Sequence, residues 1–434
     1  MRERARRMAI TDRMPLLHST CPFCGLLCDD LEIDADGLAL RPARGACARS
    51  RSAFASLGTT AAAQAQARVD GAAVSMETAL DAAARLLRAA HRPLVAGLDV
   101  DVGGMRAVLD LARRCGAVVD HVASAAKYRN LHVLQEAGWI TTTLAEARNR
   151  ADLFVLVGDA WHARFPRFLE RIVAPGSDMF GPPAVRRIVL LTEDAVVARG
   201  ALPEGVECLP VGLPRRQLPV AATMLAAMLD GRPVDPGRLG MPAGEALARC
   251  AGWMRAARYG VVVWAAGDLE LPHAELAVQA LMHCVRVLNA TTRFAALPLA
   301  GTDGDFTANA VQTWQSGVSY PASYANGRVD FDPWRHGWRR VLEDGEADLL
   351  FWVSSLGLAE VPATGGIPCV VLGRADRQAV RAAEVFIPVA TPGVDATGHV
   401  VRSDKVVTLR LPRLREAALP TVATAVGALL ERLR

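Results

Sequence analysis

Short apolar runs, rich in β-branched residues and often closing on glycine, alternate along most of this chain with stretches of helical periodicity. Strands are expected at residues 92–97, 117–122, 152–158, 187–192 and 206–211, then at 261–266, 294–299, 349–354, 368–372 and 385–388. Residues 77–90, 104–115, 217–229 and 243–258 repeat apolar side chains at helical spacing, and 421–434 reads as a closing helix. Strands that are apolar on both faces and separated by helices specify parallel sheets covered on both sides. The fold class is therefore α/β, with doubly wound parallel sheets. Residues 31–40 alternate apolar and polar around Asp36-Gly37, which predicts a hairpin. The expected organisation is an N-terminal extension (1–20), a small four-cysteine β module (21–75, with 61–75 as connector) and two α/β units (76–240 and 241–434).

With 434 residues, 51% of them apolar, the chain can bury a large core, which excludes disordered and disulfide-scaffold classes. A net charge of +4 and 5% aromatic residues leave no electrostatic or stacking footprint for nucleic acid. Only two residues are lysine, Lys127 and Lys405; every other side chain of that charge is arginine, which reads as genome composition. No run reaches the ~20 apolar residues of a membrane span. The first twenty residues carry five arginines without an apolar stretch, so no secretory signal is expected, and Met14 is an alternative start. A cytoplasmic protein is expected, and there clustered cysteines point to metal before disulfide.

Cys21, Cys24, Cys28 and Cys47 follow the pattern C-x2-C-x3-C, then eighteen residues, then C, so four of the nine cysteines fall within 27 residues. Four thiolates can hold the corners of a [4Fe–4S] cube. Zinc is the second option, although it favours two C-x2-C pairs. A packed module with no metal is the third, and the sequence leaves all three open. The remaining cysteines are isolated and read as small buried apolar residues.

The segment Cys21-Pro-Phe-Cys-Gly-Leu-Leu-Cys-Asp-Asp-Leu-Glu resembles the start of the formylmethanofuran dehydrogenase B-subunit, in the molybdopterin oxidoreductase superfamily. So do Gly158-Asp-Ala-Trp-His-Ala-Arg-Phe-Pro-Arg, Val311-Gln-Thr-Trp-Gln-Ser-Gly and Gly393-Val-Asp-Ala-Thr-Gly-His-Val-Val-Arg-Ser-Asp. These blocks lie in order over nearly the whole chain. The family's loop after the first doubly wound strand resembles G-W-S-x-T-x-C, whose last residue binds molybdenum or tungsten. By register from Gly97 that position is Gly103, which has no donor atom. Glycine there suits a turn with positive φ or a close backbone approach. Asp99 and Asp101 in the same loop read as solvated or helix-capping residues.

Without that ligand, the resemblance implies the B-subunit of a formyltransferase/hydrolase complex that has lost redox chemistry. Molybdopterin or tungstopterin is then expected to be absent and the chain to be a non-catalytic subunit. Its implied partners are an amidohydrolase-like subunit that releases formate and a formyltransferase-like subunit. The latter moves formyl from formyl-tetrahydromethanopterin to a methanofuran-like carrier. The alternative is a metal-pterin dehydrogenase subunit. Asp159, Trp161, His162, Asp303 and Gln312 fall on the family's pterin-facing loops and read as vestigial. Acidic residues in the 302–307 stretch would repel pterin pyrophosphates, and Gln312 and Trp314 read as helix packing. No hydrolase motif of the chain's own is present. A chain of this kind is expected to expose a large interface when alone.

Overall fold

The computed structural model describes residues 17–58, 65–177, 179–180, 186–194, 200, 202, 206–299, 304–357, 359–377 and 383–434. Most of the expected N-terminal extension, together with Thr302 and Asp303, lies outside them.

The chain begins with β1 (Leu17–Ser19), β2 (Leu31–Asp36) and β3 (Ala39–Arg44), an antiparallel sheet in the order β1-β2-β3. Helix α1 (Ala48–Ser56) follows, and Cys47 is its N-cap. The Asp36-Gly37 turn forms as expected, with Gly37 at φ 58°.

Next come β4 (Ala67–Val69), β5 (Ala72–Val74), α2 (Met76–Ala89), β6 (Pro93–Asp99), α3 (Val102–Cys115), β7 (Val118–Val119) and α4 (Ser124–Ala137). The stretch read as a connector thus contains a hairpin, turned by Asp70 and Gly71, both at positive φ. After α5 (Leu144–Arg150) the chain builds β8 (Leu153–Val157), α6 (Ala160–Arg164), β9 (Arg187–Thr192) and β10 (Glu207–Gly212). Then come α7 (Leu218–Leu229), α8 (Met241–Ala256), β11 (Tyr259–Ala265), α9 (Ala274–Leu288) and β12 (Arg293–Leu299). It returns through α10 (Asp305–Ser316), β13 (Ala322–Ser323), β14 (Asp330–Phe331), α11 (Pro333–His336) and α12 (Trp338–Glu343). It closes with β15 (Leu349–Ser354), β16 (Cys369–Arg374), β17 (Val385–Val389), β18 (Gly398–Val401), β19 (Thr408–Leu411) and α13 (Val422–Arg432).

One sheet has nine strands in the order β14-β13-β7-β6-β15-β16-β17-β4-β5. Its five central strands, β7 to β17, are parallel, and the hairpins at both edges are antiparallel. The second sheet is wholly parallel, in the order β10-β9-β8-β11-β12. The units therefore do not divide at residue 240. The five-stranded unit is inserted between β7 and β13 of the nine-stranded one, whose sheet closes when β15 pairs with β6 on one side and with β16 on the other.

Valine, leucine and isoleucine fill these strands, and β6, β8, β15, β16 and β17 are buried along their whole length. The helices bury one face each against them. In α3, Met105, Val108, Leu109 and Ala112 point inward, and Asp101 caps the start by accepting from the amides of Gly103 and Gly104. Strand β7 stops at Val119, shorter than expected, because Asp120 and His121 turn away into a polar cluster.

The cysteine module docks across both units. Arg167 grips the Asp30 carboxylate with two nitrogens at 2.6 and 2.7 Å, and Arg171 reaches Asp29 at 2.6 Å. On the other side Arg374 donates to Ser56 at 3.0 Å.

Candidate functional site

A parallel sheet binds ligands where its strand order reverses, beyond the carboxyl ends of the two strands at that point. Here those points lie between β8 and β11 in one sheet and between β6 and β15 in the other. Both are filled by the chain's own carboxylates.

Beyond β8, Gly158 turns the chain at φ 84° into α6. The amides of Asp159 and Ala160 donate to Asp268 Oδ1 at 3.0 and 2.6 Å. Asp268 follows β11, and its Oδ2 accepts from Ala265 N at 3.1 Å. A Cβ on Gly158 would overlap this carboxylate. Burial pushes the Asp268 pKa up, while the three amides pull it down.

The second point also holds a buried carboxylate, bound differently. Asp99, the last residue of β6, is buried, and its Oδ2 accepts from Ser354 Oγ at 2.9 Å. The backbone amides of Ser355 and Leu356 donate to its carbonyl at 2.9 and 3.0 Å. A Cβ on Gly357 would overlap the Asp99 carboxylate. Asp99 is thus a structural clasp rather than a solvated loop residue, whereas Asp101 caps a helix as expected.

A pyrophosphate needs free backbone N–H groups and positive potential at such points. As arranged, carboxylates occupy both, so the residues present do not fit an anionic dinucleotide there. Gly103 lies in the first turn of α3, without positive φ, and its amide reaches Asp101 Oδ2 at 3.3 Å. The expected strained turn is absent because the helix starts two residues earlier than its apolar periodicity suggested.

Trp161 is fully buried and donates to Gly158 O at 3.0 Å, so it packs in the core rather than lining a cleft. Asp159 accepts from the Glu193 amide at 3.2 Å. His162 sits half-buried against Trp161, edge to face at 5.2 Å. Gln312 is buried and joins Ser316 and Tyr324, both at 3.2 Å, as packing predicts. Trp314 departs from that expectation: it is 63% exposed, on the outer face of α10.

Cys21, Cys24 and Cys28 are buried and Cys47 is partly exposed. Cys21 Sγ lies 3.4 Å from Ser50 Oγ, and Cys47 Sγ accepts from Ser50 N at 3.4 Å. Burial pushes the Cys28 thiol up to about 12, against the opposing charge of Arg171. Among the described residues no three His, Cys, Asp or Glu side chains are grouped to hold a metal ion. Ser50 thus contacts both Cys21 and Cys47.

Two features escaped the sequence reading. One is Asp268. The other is a buried polar cluster formed by Asp120, His121, Lys127, Asp305 and Tyr320. Asp305 accepts from Tyr320 OH at 2.5 Å and lies 4.0 Å from Lys127 Nζ. It is neutralised within the chain and is not a bare charge facing a cleft. A separate cavity of about 740 Å³ is lined by Tyr128, Arg129, Leu271, Trp334 and Trp338. Among the described residues no helix is long and apolar enough to cross a membrane.

No protein-family model matches the chain. It is 29% identical over 375 residues to the B-subunit of the formyltransferase/hydrolase complex Fhc of Methylorubrum extorquens, covering 84% of this chain and 96% of that protein. It is 27% identical over 401 residues to the B-subunit of the tungsten-containing formylmethanofuran dehydrogenase 2 of Methanocaldococcus jannaschii, covering 89% and 91%. Its structure matches a chain in the crystal structure of the M. extorquens FhcABCD complex with methylofuran. That match has a TM-score of 0.72 and 28% identity, and covers 85% of this chain and 98% of that one. Over most of its length the chain is therefore similar, in sequence and in structure, to the B-subunits of a formyltransferase/hydrolase complex and of formylmethanofuran dehydrogenases.

Proposed function

We propose that this chain is the B-subunit of a formyltransferase/hydrolase complex. It holds the complex together and carries no redox chemistry of its own. The complex would pass formyl groups from formyl-tetrahydromethanopterin through a methanofuran-like carrier to formate. The fold would be that of the molybdopterin oxidoreductases with the pterin site closed.

The observation that carries this reading is the pair of carboxylates, Asp268 and Asp99, seated at the two switch points. Carboxylates on the amides of α6 compete with phosphate and repel it. Gly103 offers no thiolate, and oxidation of a formyl group is chemistry that side chains alone do not perform. The four-cysteine module has a docking role, since its Asp29 and Asp30 are tied to Arg171 and Arg167 of the inserted unit.

Purification of the chain from its source with everything it binds tests the proposal. The expected complex contains amidohydrolase-like and formyltransferase-like subunits and releases formate from the formyl carrier without an electron acceptor. Stoichiometric molybdenum or tungsten, with acceptor-dependent oxidation of the formyl carrier, would overturn it in favour of a dehydrogenase.

A further inference from the structure

The cavity of about 740 Å³ lies where the five-stranded unit meets the nine-stranded one. The stretch after β11 and the start of α9 line it with Glu270 and Glu275, and α4 lines it with Tyr128, Arg129 and His132. The segment from α11 to α12 adds Trp334 and Arg339. Pockets of roughly 300–1,000 Å³ on such seams are the usual place for a small ligand.

Part of the lining is aromatic. Tyr128 stands edge to face with Trp334, ring centroids 5.9 Å apart, and stacks on His132 at 6.0 Å. Trp334 is nevertheless 75% exposed. Its backbone is fixed, because Asp332 Oδ1 accepts from the amides of Trp334 and Arg335, both at 3.0 Å. An indole anchored in this way, with most of its surface bare, is a platform on which a flat ring can stack.

The charges of the described lining fall on two sides. Arg129 is buried and donates to the Leu269 carbonyl at 2.7 Å, next to Glu270 in sequence, and it feels both Glu270 and Glu275. Two carboxylates and one guanidinium leave this side with one net negative charge. On the other side Arg340 is held by Asp344 at 3.2 Å and by Glu346, which also binds Arg92 at 2.8 Å, so these four charges cancel. Arg339 supplies the remaining positive charge, with its guanidinium 4.9 Å from the centroid of Trp338. Among the described residues neither Glu270 nor Arg339 has an ion-pair partner within 4.0 Å. The cavity is therefore close to neutral as a whole but polarised, acidic on the wall after β11 and basic on α12. A ligand that matches it carries one charge of each sign and a flat ring.

We propose that this cavity binds a small aromatic zwitterion, the chemistry of an aromatic amino acid. Its ring stacks on Trp334 beside Tyr128, its ammonium faces Glu270 and Glu275, and its carboxylate faces Arg339.

Isothermal titration of the full chain, with whatever co-purifies, tests this with L-tryptophan as the probe. Tryptamine lacks the carboxylate and 3-indolepropionate lacks the ammonium. L-Tryptophan should bind saturably, one per chain, and each analogue about tenfold more weakly. Trp334→Ala should weaken L-tryptophan by about threefold to tenfold. Arg339→Gln should weaken L-tryptophan and leave tryptamine unchanged, while Glu270→Gln should weaken L-tryptophan and leave 3-indolepropionate unchanged. All three side chains are exposed, so the variants should melt as the parent does. No saturable binding of L-tryptophan, equal binding of either analogue, or full affinity in Trp334→Ala would each overturn the proposal and leave the exposed indole to a partner subunit.

Discussion

Arg415 and Asp395 form a fully buried ion pair, Nε to Oδ1 at 2.7 Å, with both side chains 1% exposed. Arg415 also donates to the carbonyls of Leu38 and Leu57, at 2.9 and 2.7 Å, while the Thr391 amide donates to Asp395 Oδ2 at 3.0 Å. One guanidinium thus fastens the cysteine module to the C-terminal segment.

Removing either partner leaves a buried charge uncompensated. Arg415→Met and Asp395→Asn should each destabilise by about 3–5 kcal/mol, and the double variant by less than their sum. Thermal melting, with limited proteolysis of the module, checks this. Two single variants that melt as the parent does would show the pair to be dispensable.

Glycines 103 and 158 should behave oppositely. Gly103 is helical, and a Cβ there meets Asp101 Oδ2 at an ordinary 3.4 Å. Gly103→Ala or Gly103→Cys should be neutral or stabilise by up to about 1 kcal/mol. Gly158→Ala combines a positive φ with overlap onto Asp268, and should cost about 2 kcal/mol or more. Melting curves of the three variants decide it. Gly103→Cys should bring no bound molybdopterin, since both switch points stay closed.

Opposed titrations should be separable near β7. Burial pulls His121 down to about 4, so its unfolded form takes up a proton first and stability falls as pH drops from 6.5 towards 4. Burial pushes Asp120 up to about 7, so its folded form holds the proton better and stability rises as pH falls from 7 towards 3.8. The two largely offset one another in the intact chain. Asp120→Asn should expose the acid loss due to His121, and His121→Asn the acid gain due to Asp120. Melting temperatures between pH 4 and 7 read both slopes, and equal slopes in the two variants would refute the assignment.

The cysteine arrangement predicts purified chain with iron and zinc well below one metal ion per chain, even after anaerobic handling. Cys24→Ser should then change stability only as a packing substitution does, within about 1–2 kcal/mol. Iron near four per chain, lost in Cys24→Ser, would instead assign a cluster to Cys21, Cys24, Cys28 and Cys47.

Strands such as Arg187–Thr192 and Leu349–Ser354 were legible to the residue, because a fully buried parallel strand writes itself as an unbroken apolar run. Their assignment to sheets was not legible. Nothing local in Pro93–Asp99 says that its partner is Leu349–Ser354, since pairing is decided by packing between distant segments. The hairpin Ala67–Val74 was missed because small residues and half-burial blur its alternation. Asp268 was missed for a similar reason: the amides it binds lie more than a hundred residues earlier. Its signal was an acidic residue soon after a buried strand, shared with Asp99 and Asp159.

The insertion of one sheet into the other also sets an order of events during synthesis. Strand β6 leaves the ribosome without its central neighbour, β15, which follows about 250 residues later. The five-stranded unit has all its strands in one continuous stretch and can close while β6 still waits. Until β15 arrives, β6 presents an unpaired apolar edge to the cell. Slowing translation between β12 and β15 should therefore prolong the interval in which the nascent chain depends on chaperones.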